Sequence, residues 1–200
     1  MARLSLTVEQ ILSVLTETPK HLAALTVDLT PRQLRTAPGP DEWSANEVLA
    51  HLRSCADVWG ECISRMLAEE HPTLRALDPR AWTERTNYPE LEFGMSLQAF
   101  TAQRAELLAV LEPLPAEGWA RTATVTGAGA PLERTVHAYA QRMARHERPH
   151  LKQIERILNT LRPSQRSNPE AITISRLQPG LSFTRVFTPG RSPGFPFPCI

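Results

Sequence analysis

The stretch ARHERPHLKQI, Ala144 to Ile154, decides how the rest of the chain is read. It contains H-E-x-x-H, from His146 to His150, the pattern in which a zinc-protease helix carries two ligands and a general-base glutamate. It also interrupts an apolar stripe of helical period. Val136, Tyr139, Ala140 and Met143 precede it, and Ile154, Ile157, Leu158 and Leu161 follow. The missing members of that stripe fall at 146 or 147 and at 150. Those places hold His146 and His150, whose i, i+4 spacing stacks two imidazoles on one helix face. Arg142, Arg145 and Arg148 point mostly elsewhere, and with Lys152 they read as a solvated face.

A second helix carries a comparable stripe: Val48, Leu52, Cys55, Trp59, Ile63 and Met66. His51 lies along its edge, one turn before Cys55. Three imidazoles from two helices can therefore converge inside a bundle. Neutral imidazole is a good ligand for zinc, nickel or iron, and three such ligands leave a coordination position for water or substrate. A lone histidine on an apolar face is more often hydrogen-bonded core, so the pair at 146 and 150 carries more weight than His51. Cys55 reads as a buried small hydrophobe or as a fourth ligand closing the site. Trp43 and Trp59 read as core, and His21, His71 and His137 as surface or loop residues.

The remaining punctuation is helical. Thr7 with Gln10 forms a capping box, and Ser44 with Glu47 forms another, which opens a helix running to about Glu69. Thr30-Pro31 starts a short helical turn. Pro19 predicts a kink or break in the first helix. Pro72 to Glu92 reads as irregular. Ser96 caps a third long helix that Pro113 stops, and a last helix runs from near Leu132 to about Leu161. No strand pattern of useful length precedes residue 162. The expected architecture is all-α, a four-helix bundle over residues 1–162. Residues 163–200 hold seven of the eighteen prolines and four Arg against one Glu, and read as a flexible tail.

Composition bounds the function. The chain has 200 residues, 42% of them hydrophobic, enough for one domain with a real core. A net charge of +1 implies no general pull toward nucleic acid or an anionic membrane. No apolar run approaches a membrane span. Glu9 and Gln10 interrupt any signal-like segment, and three cysteines are too few for a disulfide framework, so a cytoplasmic setting is expected.

WSANEVLAHL (Trp43 to Leu52), preceded by LTPRQLRTAPGPDEW and followed about a hundred residues later by HERPHLKQIERIL, resembles the DinB/YfiT-like superfamily. The resemblance spans roughly residues 7 to 161. It implies a four-helix bundle, often a homodimer, with a metal held by three histidines, here His51, His146 and His150. Members are similar to bacillithiol S-transferases and mycothiol-dependent isomerases. The implied partners are thus a low-molecular-weight thiol and a small electrophile, and an anionic thiol is what the basic residues Arg142, Arg145, Arg148 and Lys152 would meet if they are more than a solvated face. The implied cofactor is a divalent metal, zinc or nickel ahead of iron or manganese. Pro149 departs from the family pattern and predicts a distortion that could swing His150 away from His146.

The protease reading finds little support. Its third ligand would be Glu170, in the Pro-rich tail, and no strand-rich lobe precedes the motif. A di-iron site lacks a second E-x-x-H. Glu147 is left beside the ligand face, able to move protons or to face solvent. The readings carried forward are a metal-dependent enzyme of thiol S-transferase type, a non-catalytic dimerisation or interaction module with a structural or lost metal site, and a metal-dependent hydrolase.

Overall fold

In the computed structural model of the chain, which describes residues 5–161, the capping boxes open helices where their spacing predicts. Thr7 accepts from the Gln10 amide and Gln10 reaches back, starting α1 (Val8–Thr26). Thr30 and Gln33 do the same for α2 (Pro31–Arg35), as do Ser44 and Glu47 for α3 (Ala45–Ala68). Each box satisfies two of the amide donors that a helix start leaves orphaned. Two further long helices, α5 (Phe93–Leu111) and α7 (Val136–Leu161), complete a four-helix bundle. In it α1 and α3 each pack on α5 and α7, with α3 against α7 the most extensive contact.

Several boundaries differ from expectation. α5 begins at Phe93, so Ser96 is not its cap; it is buried one turn inside and accepts from Arg53 Nη1 at 3.0 Å. α1 continues unbroken through Pro19, which is itself buried. Leu15 and Leu22, one turn on either side, are both fully buried, and their packing outweighs the proline's cost of about 3 kcal/mol. α7 likewise runs through Pro149.

The segments read as irregular contain more structure. β1 (Thr73–Arg75), β2 (Thr122–Thr126) and β3 (Leu132–Thr135) form a small sheet in that order, β1–β2 parallel and β2–β3 antiparallel. Gly127, at φ +89°, begins the β2–β3 turn, a conformation other residues adopt with strain. β3 runs directly into α7, so the expected helix start near Leu132 moves to Val136. The helix α4 (Pro79–Arg85) and a 3-10 turn (Tyr88–Glu90) follow β1, and α6 (Ala116–Trp119) follows α5.

Asp57 of α3 ties the α4 region to the bundle. It accepts from Trp82 Nε1 at 3.0 Å and Tyr88 Oη at 2.8 Å, and from the Gln103 amide on α5. Thr83 adds a hydroxyl bond to Ser54 at 2.8 Å. These ties hold α4 over the middle of α3.

The core falls into two clusters. One gathers Ile11, Leu15, Trp59, Ile63, Met66, Leu111 and Met143 with Leu74 and Ala123 of the sheet. The other gathers Leu22, Leu49, Leu52, Phe100, Ile154 and Leu158. Along α3 and α7 the break between them holds His51, His146, Glu147 and His150. Among the described residues no helix is long and apolar enough to cross a membrane. The tail read over residues 163–200, with Glu170 and Cys199, lies outside the described residues.

Candidate metal centre

α3 and α7 bring three imidazoles together at that break. His51 Nε2 and His146 Nε2 lie 3.4 Å apart, and His150 Nε2 lies 3.4 Å from His146 Nε2. His51 and His150 have ring centroids 5.1 Å apart. The distortion expected from Pro149 therefore does not carry His150 away from His146. Pro149 is exposed and lines the cavity beside His146 and His150.

Two tryptophans frame the cluster. The Trp43 ring stacks on His150 at an interplanar angle of 14° and tilts against His51, while Trp59 meets His146 edge-on with centroids 5.0 Å apart. Trp59 is a core residue as expected, but both indoles also line the cavity in front of the histidines.

Burial sets the protonation state. It pushes His51 down to about 3, with the charges of His150 and Arg80 adding to the effect. It pushes His146 down to about 2, helped by its two histidine neighbours and by Arg142 and Arg80. His150 is lowered too, by burial above all, against a hydrogen bond to Gln153 that works the other way. All three rings are thus neutral at pH 7, the form that binds metal.

The donor set fits a divalent ion. Two nitrogens bound at ordinary zinc–nitrogen lengths and a tetrahedral angle sit ~3.3 Å apart, against the 3.4 Å separations in this cluster. Gln153 Oε1, 2.9 Å from His150 Nδ1, can accept a hydrogen bond from the Nδ1–H and so leave Nε2 with its lone pair toward the cluster. His51 Nδ1 and His146 Nδ1 are buried without a partner. Cys55 Sγ is 3.5 Å from His51 Nε2, and His51, Cys55 and His146 group closely enough to share an ion.

Glu147, read as able to move protons or to face solvent, does not face solvent. Glu147 is one residue past His146, a rotation of about 100° that turns it away from the three rings and into the bundle interior. There it is buried and bonded to Arg104, and it does not line the cavity. Burial raises its carboxyl pKa, while Arg104 draws it down. The basic face divides: Arg148 and Lys152 are exposed, as a solvated face would be, whereas Arg142 and Arg145 are half-buried and line the cavity. His21, His71 and His137 do lie apart, near Glu155, Thr122 and the Leu6 carbonyl respectively.

The cavity measures about 660 Å³, within the range of small-molecule sites. Its walls come from α3, α4, α7 and the β2–β3 turn, with Val58, Leu77, Val125 and Leu132 among its apolar lining. No sequence pattern pointed to α4 or the turn as walls.

The neutral rings have a consequence for the metal-free protein. The unfolded chain takes up protons at these histidines near pH 6.5, whereas the folded chain refuses them to about pH 3. Stability is expected to be full above pH 6.5 and to fall as pH drops toward 3. The slope should approach ~1.4 kcal/mol per pH unit for each histidine involved. Urea titrations of metal-stripped protein at pH 7, 6, 5 and 4 measure this. A denaturation midpoint unchanged from pH 7 to pH 5 would contradict the buried neutral cluster.

A family model described as the DinB superfamily matches residues 14–154. Among solved structures, YfiT from Bacillus subtilis is described as a probable metal-dependent hydrolase with an unusual four-helix bundle topology. It superposes with a TM-score of 0.68 at 21% identity, over 80% of this chain and 91% of its own. That likeness bears on the fold. No curated protein matches the chain.

Proposed function

The chain belongs to the DinB superfamily, and from that premise we propose that it is a metal-dependent enzyme joining a low-molecular-weight thiol to a small electrophile. The observation that carries this reading is the meeting of three neutral imidazoles at the wall of an open cavity. His51, His146 and His150 are the residues that would hold the metal, with zinc or nickel first on donor chemistry. An ion held by neutral ligands keeps its charge and lowers the pKa of a thiol or water bound to it.

The surrounding residues favour the thiol over water. Hydrolysis at such a centre is commonly helped by a carboxylate that takes the water's proton. Among the described residues no Asp or Glu lines the cavity, and Glu147 is committed to Arg104. Tyr139 and Cys62 line it, but burial raises the Tyr139 phenol well above its ordinary value and pushes the Cys62 thiol up as well. Both stay protonated at pH 7 and are donors rather than bases. A thiol with an ordinary pKa of about 8.5 ionises without such help. Hydrolysis, the description YfiT carries, would use the same three ligands and is the alternative to test beside it.

One observation favours a different role. Cys55 Sγ sits 3.5 Å from His51 Nε2, and a sulfur and a nitrogen bound to one tetrahedral zinc lie ~3.5 Å apart. A Cys55 thiolate would close the site into a structural one and quench its acidity. Yet Cys55 does not line the cavity, so the histidines alone face a ligand entering there.

Metal analysis of the full chain, with a screen of biological thiols against a chromogenic aryl halide, tests the proposal. One equivalent of metal with metal-dependent conjugation is the expected result. Cys55→Ala should keep both; loss of metal in that variant would assign the closed site. A metal-free, fully stable and inactive protein would instead leave the bundle as an interaction module.

A further inference from the structure

The cavity in front of the histidines has a marked charge bias. Arg80, Arg134, Arg142, Arg145 and Arg156 line it, and among the described residues no carboxylate does. The chain as a whole is nearly neutral, at +1, so this concentration is local.

Two of these arginines are placed beside the imidazole cluster by the tryptophans that frame it. The Arg80 guanidinium lies over Trp43, its carbon 5.6 Å from the ring centroid, and Trp43 packs on His51 and His150. The Arg142 guanidinium lies over Trp59 at 4.8 Å, and Trp59 packs on His146. A cation–π contact holds a guanidinium near a ring without using up its planar fork of N–H donors, which suits a carboxylate or phosphate. Arg80 is more informative still: its Nε is buried with no hydrogen-bond partner, and no ion pair reaches its side chain among the described residues. The Arg80 side chain as a whole is half-buried at the cavity wall, where a charged donor gains most from an anionic acceptor. Its position is imposed from elsewhere, because Trp82 and Thr83 tie α4 to Asp57 and Ser54.

The rest of the wall is apolar, with Val58, Leu77, Val125 and Leu132 contributing. We propose that the cavity takes an organic anion, an apolar body bearing a carboxylate or phosphate, with the acid group held by Arg80 and Arg142 beside the three histidines. This deepens the enzymatic reading, since it names the chemical class of one reactant at that site. It does not need the metal, because the arginines belong to the fold.

Calorimetry on the metal-stripped full chain at low salt tests it, with 4-phenylbutyrate, 4-phenylbutyl phosphate and uncharged 4-phenylbutanamide as probes. At least one acid should bind ~10-fold or more tighter than the amide, the scale of a hydrogen bond to a charged group. Which acid binds better identifies the headgroup. The preference should fall below about twofold in Arg80→Met/Arg142→Met. It should persist in Arg148→Met, whose exposed side chain lies outside the cavity. If the double variant does not fold, Arg80→Gln and Arg142→Gln singly should each lose several-fold of the preference. Equal binding of acids and amide, binding of none of the three, or a preference surviving the arginine substitutions would overturn the proposal. Because the metal is absent throughout, failure of the metal-dependent reading leaves this result unaffected, and the reverse also holds.

Discussion

His146→Ala is expected to strip the protein of metal and to abolish thiol conjugation together, while the bundle stays folded. His146 Nε2 is the shared neighbour of the other two, 3.4 Å from His51 and from His150, so its loss removes both of those close nitrogen pairs. Loss of an outer-shell partner typically costs 10–100-fold in metal affinity; loss of a ligand should cost more, with activity falling in step. The fold should tolerate the change because the His146 Nδ1 has no hydrogen-bond partner to lose. Removing a ring that resists protonation should also flatten the acid side of the stability profile. Metal content after dialysis and conjugation rate with added metal are the readouts. A variant that keeps one equivalent of metal and the parent rate would sink the assignment.

The largest expected effect on stability lies one residue further on. Arg104 and Glu147 form an ion pair with side chains 2% and 4% exposed. Arg104→Leu or Glu147→Leu alone should cost about 3–5 kcal/mol, because each strands a buried charge. Arg104→Leu/Glu147→Leu should recover most of that loss. Arg104 Nε and Nη1 and Glu147 Oε2 have no hydrogen-bond partners, so the pair is incompletely satisfied and an apolar replacement forfeits little. Chemical denaturation across the double-mutant cycle gives the coupling. The folded double variant should still bind metal, which a catalytic Glu147 acting at the cluster would not require but a ligand role would forbid. Single variants as stable as the parent would show that the pair is not held as described.

Much of this was legible in the residues, and the physics of each case explains why. The capping boxes at Thr7, Thr30 and Ser44 are four-residue devices, and local signals survive into the fold. The polar gap in the α7 stripe at His146 and His150 is also local, since a helix fixes which residues share a face. The strands were not legible: β1 to β3 are three to five residues long, and β1 pairs with β2 across about fifty positions of chain. Such pairing has no signature within either segment. The burial of Glu147 was not legible for a related reason. Its type and neighbours suggest chemistry, but which helix packs on its side of α7 is a long-range fact.

The sequence alone determined the four long helices, the ring pair at one turn's spacing and the third histidine on α3, because these follow from helical period and end chemistry. Only the tertiary structure decided what surrounds them. Assembling the bundle brought Arg104 of α5 to Glu147 of α7 in its buried interior. Tying α4 to Asp57 hung Arg80 over Trp43, and closing the small sheet completed an arginine-lined cavity. Those outcomes depend on contacts between distant segments, whose energies belong to pairs of elements and cannot be read from either one.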